Sequence, residues 1–284
     1  MTKRAFSPAL DEILGQSFSV LDHGFVRVVD YMGNDSAIVQ AARVSYGPGT
    51  KTPSSDEALI RYLLRNHHNT PFEMCEIKLH VKLPVFVARQ WVRHRTANIN
   101  EISARYSILD KEFYIPDAQH LAAQSSHNKQ GRDALLVGGE AEKVIQHLEE
   151  MSNDAYRDYE WLLAEKTEER QGLARELARM RLPINIYTQF YWKIDLHNLM
   201  HFLRLRADGH AQYEIRAYCE IIHDIMRAWV PFTSAAYEDY RRDAVRFSGP
   251  MMVVLRAMLT GEQVSQEDSG LSKREWTELQ NLIA

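Results

Sequence analysis

Cysteine is scarce in this chain, with 2 in 284 residues. That excludes a disulfide framework and fits a reducing compartment. Long apolar runs are missing too. Nothing approaches the roughly 18 apolar residues of a membrane helix, so no spanning segment is expected. The N-terminus, Met1 to Pro8, has a basic pair with no apolar stretch behind it. A secretory signal is not expected, and a cytoplasmic location is. Neither sign of charge is in excess: 34 Lys plus Arg against 38 Asp plus Glu leave a net charge of −4. Such a chain has no broad electrostatic grip on nucleic acid. Internal repeats, G-x-G-x-x-G and H-E-x-x-H are all absent. Neither Rossmann-type dinucleotide binding nor a metalloprotease helix is therefore expected. His67-His68 and the i, i+4 pair His197 and His201 stand without a cysteine cluster or an intervening carboxylate, so no metal site is expected.

Hydrophobic residues make up 45% and charged residues 25%, the balance of an ordinary globular domain. Phe25 to Tyr31 is rich in β-branched and aromatic residues and predicts a strand. Asp35 or Ser36 is placed to cap a short helix that Gly47-Pro48-Gly49 breaks. Ser54 and Glu57 have capping-box spacing ahead of a helix with Leu59, Ile60, Leu63 and Leu64 on one face. Cys75 to Leu83 alternates apolar and polar without a fault, a half-buried strand with Ile77, Leu79 and Val81 inward and His80 outward and solvated. Pro84 is suited to open the following helix. Phe113–Pro116 reads as a short strand, and residues 118–139 as a polar, irregular excursion. Helices are predicted at about 140–166, 172–181, 196–206 and 211–229, with a strand at 186–194 and a stop at Pro231. Ser272 and Glu275 form a second capping box in a polar, helical tail. Strands and helices do not strictly alternate, so the expected class is α+β: a mixed or antiparallel sheet packed with helices, in one compact domain.

One segment breaks the acidic balance. Between Arg89 and Arg105 the chain carries Arg89, Arg93, His94, Arg95 and Arg105 against a single acid, Glu101. Arginine gives fixed, bidentate donors to phosphate. Asn98, Asn100 and Ser103 add shorter hydrogen-bonding groups. The cluster suits a phosphorylated ligand such as a nucleotide; equally, a basic turn after a helix is often only solvated surface. A second polar cluster runs from Arg204 to Glu214. Its arginines complement a helix C-terminus, which is the plainer explanation. Cys75 and Cys219 have no basic neighbour in sequence and read as packed thiols rather than nucleophiles.

Arg93-His94-Arg95, followed by Asn100-Glu101, Ser103 and Arg105-Tyr106, resembles the signature R-H-R-x-x-S-x-N-E-x-S-x-R-Y of the flavin-dependent thymidylate synthases. Ala42 to Tyr46, His68 with Thr70 to Glu73, Phe86 to Trp91, and Leu205 to Gln212 are similar to further blocks of that family, in family order. The resemblance covers roughly residues 20–240, with 241–284 a helical C-terminal extension of the same domain. Asn98 departs from the signature, which commonly has serine there.

The resemblance implies reductive methylation of dUMP to dTMP. Methylenetetrahydrofolate would give the carbon, and NADPH the reducing equivalents through bound FAD. It places His68, Thr70, Arg93, His94, Arg95, Glu101, Asp195, Leu196, His197 and His201 at FAD. It places Gln90, Trp91, Val92, Arg93, Glu101, Ile102, Ser103, Ala104, Arg105, Arg179 and Arg206 at dUMP. Ser103, Arg105 and Arg179 would hold the phosphate, and Arg206 would activate the pyrimidine by favouring ionisation at N3. It also implies a homotetramer with sites shared between subunits. Two other readings stay open on the residues alone: a flavin reductase or nucleotide-modifying relative with the same pocket, and a basic loop gripping nucleic-acid phosphates.

Overall fold

The faultless alternation after Cys75 folds as an extended strand, with Ile77, Leu79, Val81 and Leu83 buried and the polar residues between them half-buried. The computed structural model describes residues 5–44, 55–126, 131–164 and 171–283. Ser45, Tyr46, Gly47-Pro48-Gly49, Ser54, residues 127–130 and Lys166 lie outside them. The described strands are β1 (Ser17–Val20), β2 (Gly24–Met32), β3 (Glu76–Pro84), β4 (Asn98–Glu101), β5 (Ala122–Gln124), β6 (Arg132–Leu135) and β7 (Tyr187–Asp195). The helices are α1 (Pro8–Asp11), α2 (Asp35–Arg43), α3 (Asp56–Arg65), α4 (Thr70–Glu73), α5 (Val85–Trp91), α6 (Gly139–Leu163), α7 (Arg175–Ala178), α8 (Leu196–Arg206), α9 (Tyr213–Trp229), α10 (Pro231–Tyr237), α11 (Gly249–Leu259) and α12 (Lys273–Ile283).

The main sheet has the order β1-β2-β3-β7-β4, with every neighbouring pair antiparallel. This is the expected α+β class. Its backbone is the pairing of β3 with β7 from Glu76 opposite Asp195 to Pro84 opposite Tyr187. One face of both strands is apolar and covered by helices. There Trp91 of α5 meets Phe190, Trp192, Phe202 and Tyr218, with ring centroids 4.6 to 5.9 Å apart. Each such ring, fully buried, contributes about 1.5–3 kcal/mol, so this cluster fixes α5, α8 and α9 on the sheet. The contacts divide the chain into two units, Met1–Tyr237 and Glu238–Ala284. The second is helical, with a small core of Met251, Val254, Leu271 and Leu279. Its capping box forms as expected: Ser272 N–H donates to Glu275 Oε2, and Glu275 N–H to Ser272 Oγ.

Several local expectations are corrected. Asn34, not Asp35 or Ser36, caps α2 by accepting from Ala37 N–H. Asp35 is instead buried and accepts from Phe232 N–H, Thr233 N–H and Thr233 Oγ1, which ties α2 to the start of α10. Ser55 rather than Ser54 caps α3. Pro84 ends β3 and precedes α5 instead of opening it. Phe113–Pro116 makes only one bridge, Phe113 to Ile186, because Tyr114 and Ile115 spend their N–H groups on Asn185 O and Asp22 Oδ2. The polar excursion contains the antiparallel pair β5 and β6. The stretch 172–181 gives only the four-residue α7 and a 3-10 turn at Arg179–Arg181. Pro231 ends α9 and also starts α10. His80 is not solvated: it sits half-buried between Phe25 and Tyr191, bonded to Arg27 Nη2 and Gln189 Oε1.

Asp35→Ala removes a buried acceptor of three hydrogen bonds and strands their donors. Denaturant unfolding of the variant should show a loss of about 2–4 kcal/mol; a loss within experimental error would show that α2 and α10 are held by packing alone.

Candidate active site

β7 carries a cavity at each end. At its N-terminal end lies one of about 470 Å³, lined by Glu101, Ile102, Ser103, Ala104, Arg179 and Thr188, with Val85, Leu109, Leu182, Pro183, Ile184 and Ile186 as an apolar side. Edge strand β4 brings Glu101 opposite Phe190 of β7, and Ile102 N–H continues the pairing to Gln189 O. Glu101 Oε1 accepts from buried Thr188 Oγ1 at 2.6 Å, which aims the carboxylate. The chain then turns: Tyr106 and Ser107 N–H both donate to Ser103 O, and Arg105 N–H to Ser103 Oγ. Arg179 stands on the 3-10 turn, its Nε donating to Glu176 O at 3.2 Å. Glu176 also pairs through its carboxylate with Arg105 at 3.0 Å. One residue thus sets both arginines, and both remain exposed enough to take an anion.

At the other end of β7, a cavity of about 330 Å³ is lined by Arg93, His94, Arg95, Thr96, Ile194, Asn198, His201, Leu205 and Arg206. Its lining has three guanidinium groups and no carboxylate, so it favours an anion. Arg206, at the last turn of α8, donates from Nε to His94 Nε2 at 3.0 Å and from Nη2 to Gln90 O at 3.4 Å. Gln90 Nε2 in turn donates to Gln212 Oε1. A guanidinium cannot accept, so His94 must be the neutral tautomer with Nε2 bare. Burial first, then Arg206 and His201, pull the His94 pKa down to about 4. Burial, Arg204 and His197 also lower that of His201.

The two cavities share no lining residue. Thr188 lines one and Ile194 the other, and that stretch of strand is about 20 Å long. One chain therefore keeps Ser103 and Arg179 away from Arg206. Other expected residues fall outside both cavities. The Trp91 and Leu196 side chains are fully buried in the core. Both carboxylate oxygens of Asp195 are used on Asn198, one on its N–H and one on its side-chain amide, as the cap of α8. Val92 is half-buried and His197 likewise. His68 is exposed between α3 and α4, Thr70 is exposed as the first residue of α4, and α4 packs against α8. His67 takes a left-handed φ of 60°, which ends α3 and turns His68 outward. Asn98 is exposed on β4 opposite Lys193. Four polar residues of these sites were not anticipated: Thr96, Thr188, Glu176 and Asn198. Each is a common polar residue with no motif of its own. Neither cysteine lines either cavity; burial pushes Cys75 up to about 12 and Cys219 well above the ordinary thiol range.

A depressed histidine pKa favours the folded state only while the ring is neutral. Below about pH 6.5 the unfolded chain takes up a proton that the folded site refuses until about pH 4, so this group's contribution is lost as pH falls through that window. NMR titration of His94 should give a midpoint about pH 4, and Arg206→Gln should raise it. An ordinary midpoint in the unaltered chain would show that the Arg206 contact does not form.

Residues 27–232 match the family model described as thymidylate synthase complementing protein. The chain is 63% identical over 282 residues to a flavin-dependent thymidylate synthase of Ruegeria pomeroyi, covering 99% of this chain and 93% of the relative. It is 61% identical over 279 residues to the enzyme of that name from Gluconobacter oxydans, covering 98% and 91%. Among solved structures it is similar to the UMP/dUMP methylase PolB of Streptomyces cacaoi bound with 5-Br dUMP, at 30% identity and a TM-score of 0.69, covering 79% of this chain and 99% of that one. On these matches, with the signature residues gathered at the two ends of β7, the chain belongs to the family of flavin-dependent thymidylate synthases.

Proposed function

We propose that this chain converts dUMP to dTMP, with methylenetetrahydrofolate as carbon donor, and NADPH as reductant through FAD. The observation that carries this is the cation Arg206, held by His94 and the Gln90 carbonyl at a carboxylate-free cavity. The donor set fits FAD. Arg93, Arg95 and His201 line one open cavity, and Asn198 and Thr96 add neutral donors for a dinucleotide's phosphates and ring. His68, Thr70, Asp195, Leu196, His197 and Glu101 complete the assigned FAD set. FAD, when bound, relays reducing equivalents from NADPH to the one-carbon unit.

The chain's own groups do the rest. Ser103, Arg105 and Arg179 bind the dianionic phosphate through charge-assisted bonds. Gln90, Arg93 and Glu101 orient the nucleoside. Arg206 stabilises negative charge that builds on the pyrimidine as N3 ionises, and so raises electron density at C5, where the one-carbon unit is accepted. Because His94 is neutral, the charge of Arg206 is not offset by a carboxylate and is left for the substrate. The thiol route to the same product needs an activated cysteine; two buried thiols with raised pKa values argue against it.

The separation of the cavities supports a homotetramer in which the phosphate set of one subunit meets Arg206 of another. Tyr106, Ile108, Leu177, Met180 and Ile184 are exposed around the phosphate set. Exposed apolar side chains gathered in one region mark a contact surface.

The purified protein should carry flavin absorbance and form dTMP anaerobically from dUMP, NADPH and methylenetetrahydrofolate. Flavin reduction without dTMP would overturn the acceptor assignment. Arg206→Ala should keep flavin yet lose about 100-fold or more in kcat. The double variant Cys75→Ser, Cys219→Ser should still form dTMP; a flavin-loaded but wholly inactive protein would point to thiol chemistry.

A further inference from the structure

Three consecutive residues at the start of α9 are held from outside the helix. Gln212 accepts from Gln90. Tyr213 stacks on His120, with ring centroids 3.5 Å apart and planes 18° from parallel. Glu214 is buried, and its carboxylate accepts from Arg132 Nη2 at 2.8 and 3.1 Å and from the Tyr114 hydroxyl at 3.2 Å. Arg132 Nη1 also donates to His120 O at 3.1 Å. One guanidinium therefore joins β6, the turn before β5 and the first turn of α9.

The strands of this hairpin offer little else. All four residues of β6 are exposed, and β5 is half-buried at Ala122 and exposed beyond it. A pair with almost no buried face has little packing of its own to hold it, so the ion pair and the His120–Tyr213 stack, beside the contact of the preceding turn with α6, fasten it to the body. Burying a carboxylate is unfavourable unless a cation and hydrogen bonds compensate it. Arg132 and Tyr114 supply both. The cost is repaid in position: Glu214 lies two residues after Gln212, which holds the side chain of Gln90, whose carbonyl meets Arg206.

We propose that Arg132 is a positioning residue for dUMP methylation, acting through Glu214 and Gln212 to hold Gln90 against Arg206, so that the hairpin of β5 and β6 is a clamp on the pyrimidine-activating arginine. This rests on the reading of Arg206 given above.

The test is steady-state kinetics on flavin-loaded Arg132→Met and Glu214→Gln. A lost clamp should lower kcat about tenfold while KM for dUMP changes less than about threefold, because the contact matters most as charge develops on the ring. The double variant should be no slower than the slower single variant, since both break one link. Arg132→Lys should recover part of the rate: its ammonium still pairs with Glu214 but does not also span to His120 O. Should Arg132→Met fail to hold flavin, flavin-loaded Glu214→Gln decides, and a wild-type kcat there overturns the proposal. So does a wild-type kcat in Arg132→Met, or two losses that multiply in the double variant. Wild-type protein and Arg206→Ala run alongside. No dTMP from the first, or activity in the second, breaks the functional reading and the clamp with it. The expected behaviour of both, with an unaffected Arg132→Met, breaks the clamp alone.

Discussion

The antiparallel pairing of β3 with β7 is the constraint on which the rest of the main unit depends. It runs without a break from Glu76 opposite Asp195 to Pro84 opposite Tyr187. Its inner face buries Ile77, Leu79 and Val81 beside Phe190, Trp192 and Ile194. A one-residue slip of β7 would turn Phe190, Trp192 and Ile194 away from the core and bury Tyr191 and Lys193 in their place. With that register locked, each end of β7 delivers a fixed set of groups. One end holds Thr188 against Glu101, beside the turn that carries Ser103. The other leads through the Asp195 cap into α8, which ends at Arg206. The length of the strand separates the set proposed to bind phosphate from the one proposed to activate the pyrimidine.

Electrostatics differ at the two ends in a way that suits this division. Near the phosphate set, Arg105 is balanced by Glu176, so the pair is half-exposed and the guanidinium can exchange one anion for another. At the far end Arg206 has a neutral histidine and a carbonyl for partners. Those fix its direction without neutralising it. Arg93 and Arg95 stand in the same cavity, and an anionic ligand relieves the mutual repulsion of the guanidinium groups there. The site is therefore built to stabilise charge that arrives or develops.

Much of this was legible in the amino-acid order, for definite reasons. The alternation in β3 survives because one face of a two-sided sheet is helix-covered and the other is not. The span of α8, Leu196–Arg206, was readable because Asp195 caps it and Asp208-Gly209 follows it. Asp35 was misread as a cap because its sequence position suits one, whereas its carboxylate serves Phe232 and Thr233 far along the chain. Phe113–Pro116 has strand composition, but its N–H groups are claimed by a loop and an aspartate. The hairpin of β5 and β6 was invisible because its strands are very short, alanine-rich and almost wholly exposed, so they carry no burial alternation. Which signature residues share a cavity depends on distances that no motif encodes, and the partition of Ser103 and Arg179 from Arg206 emerged only from the fold. Thr188, Glu176 and Asn198 went unnoticed for the same reason: they act on ligand-binding residues rather than in a pattern.

The central claim is that each chain holds two incomplete half-sites, completed between subunits. Complementation tests it most directly. Arg179→Ala and Arg206→Ala, each inactive alone, are co-assembled from differently tagged chains, and dTMP formation is measured on the purified mixed oligomer. Random pairing rebuilds about a quarter of the sites with both arginines intact, so activity should return to about that fraction of the unaltered enzyme. A mixed oligomer that carries flavin and stays as inactive as its parents would contradict the account, because it would place both arginines of each site on one chain.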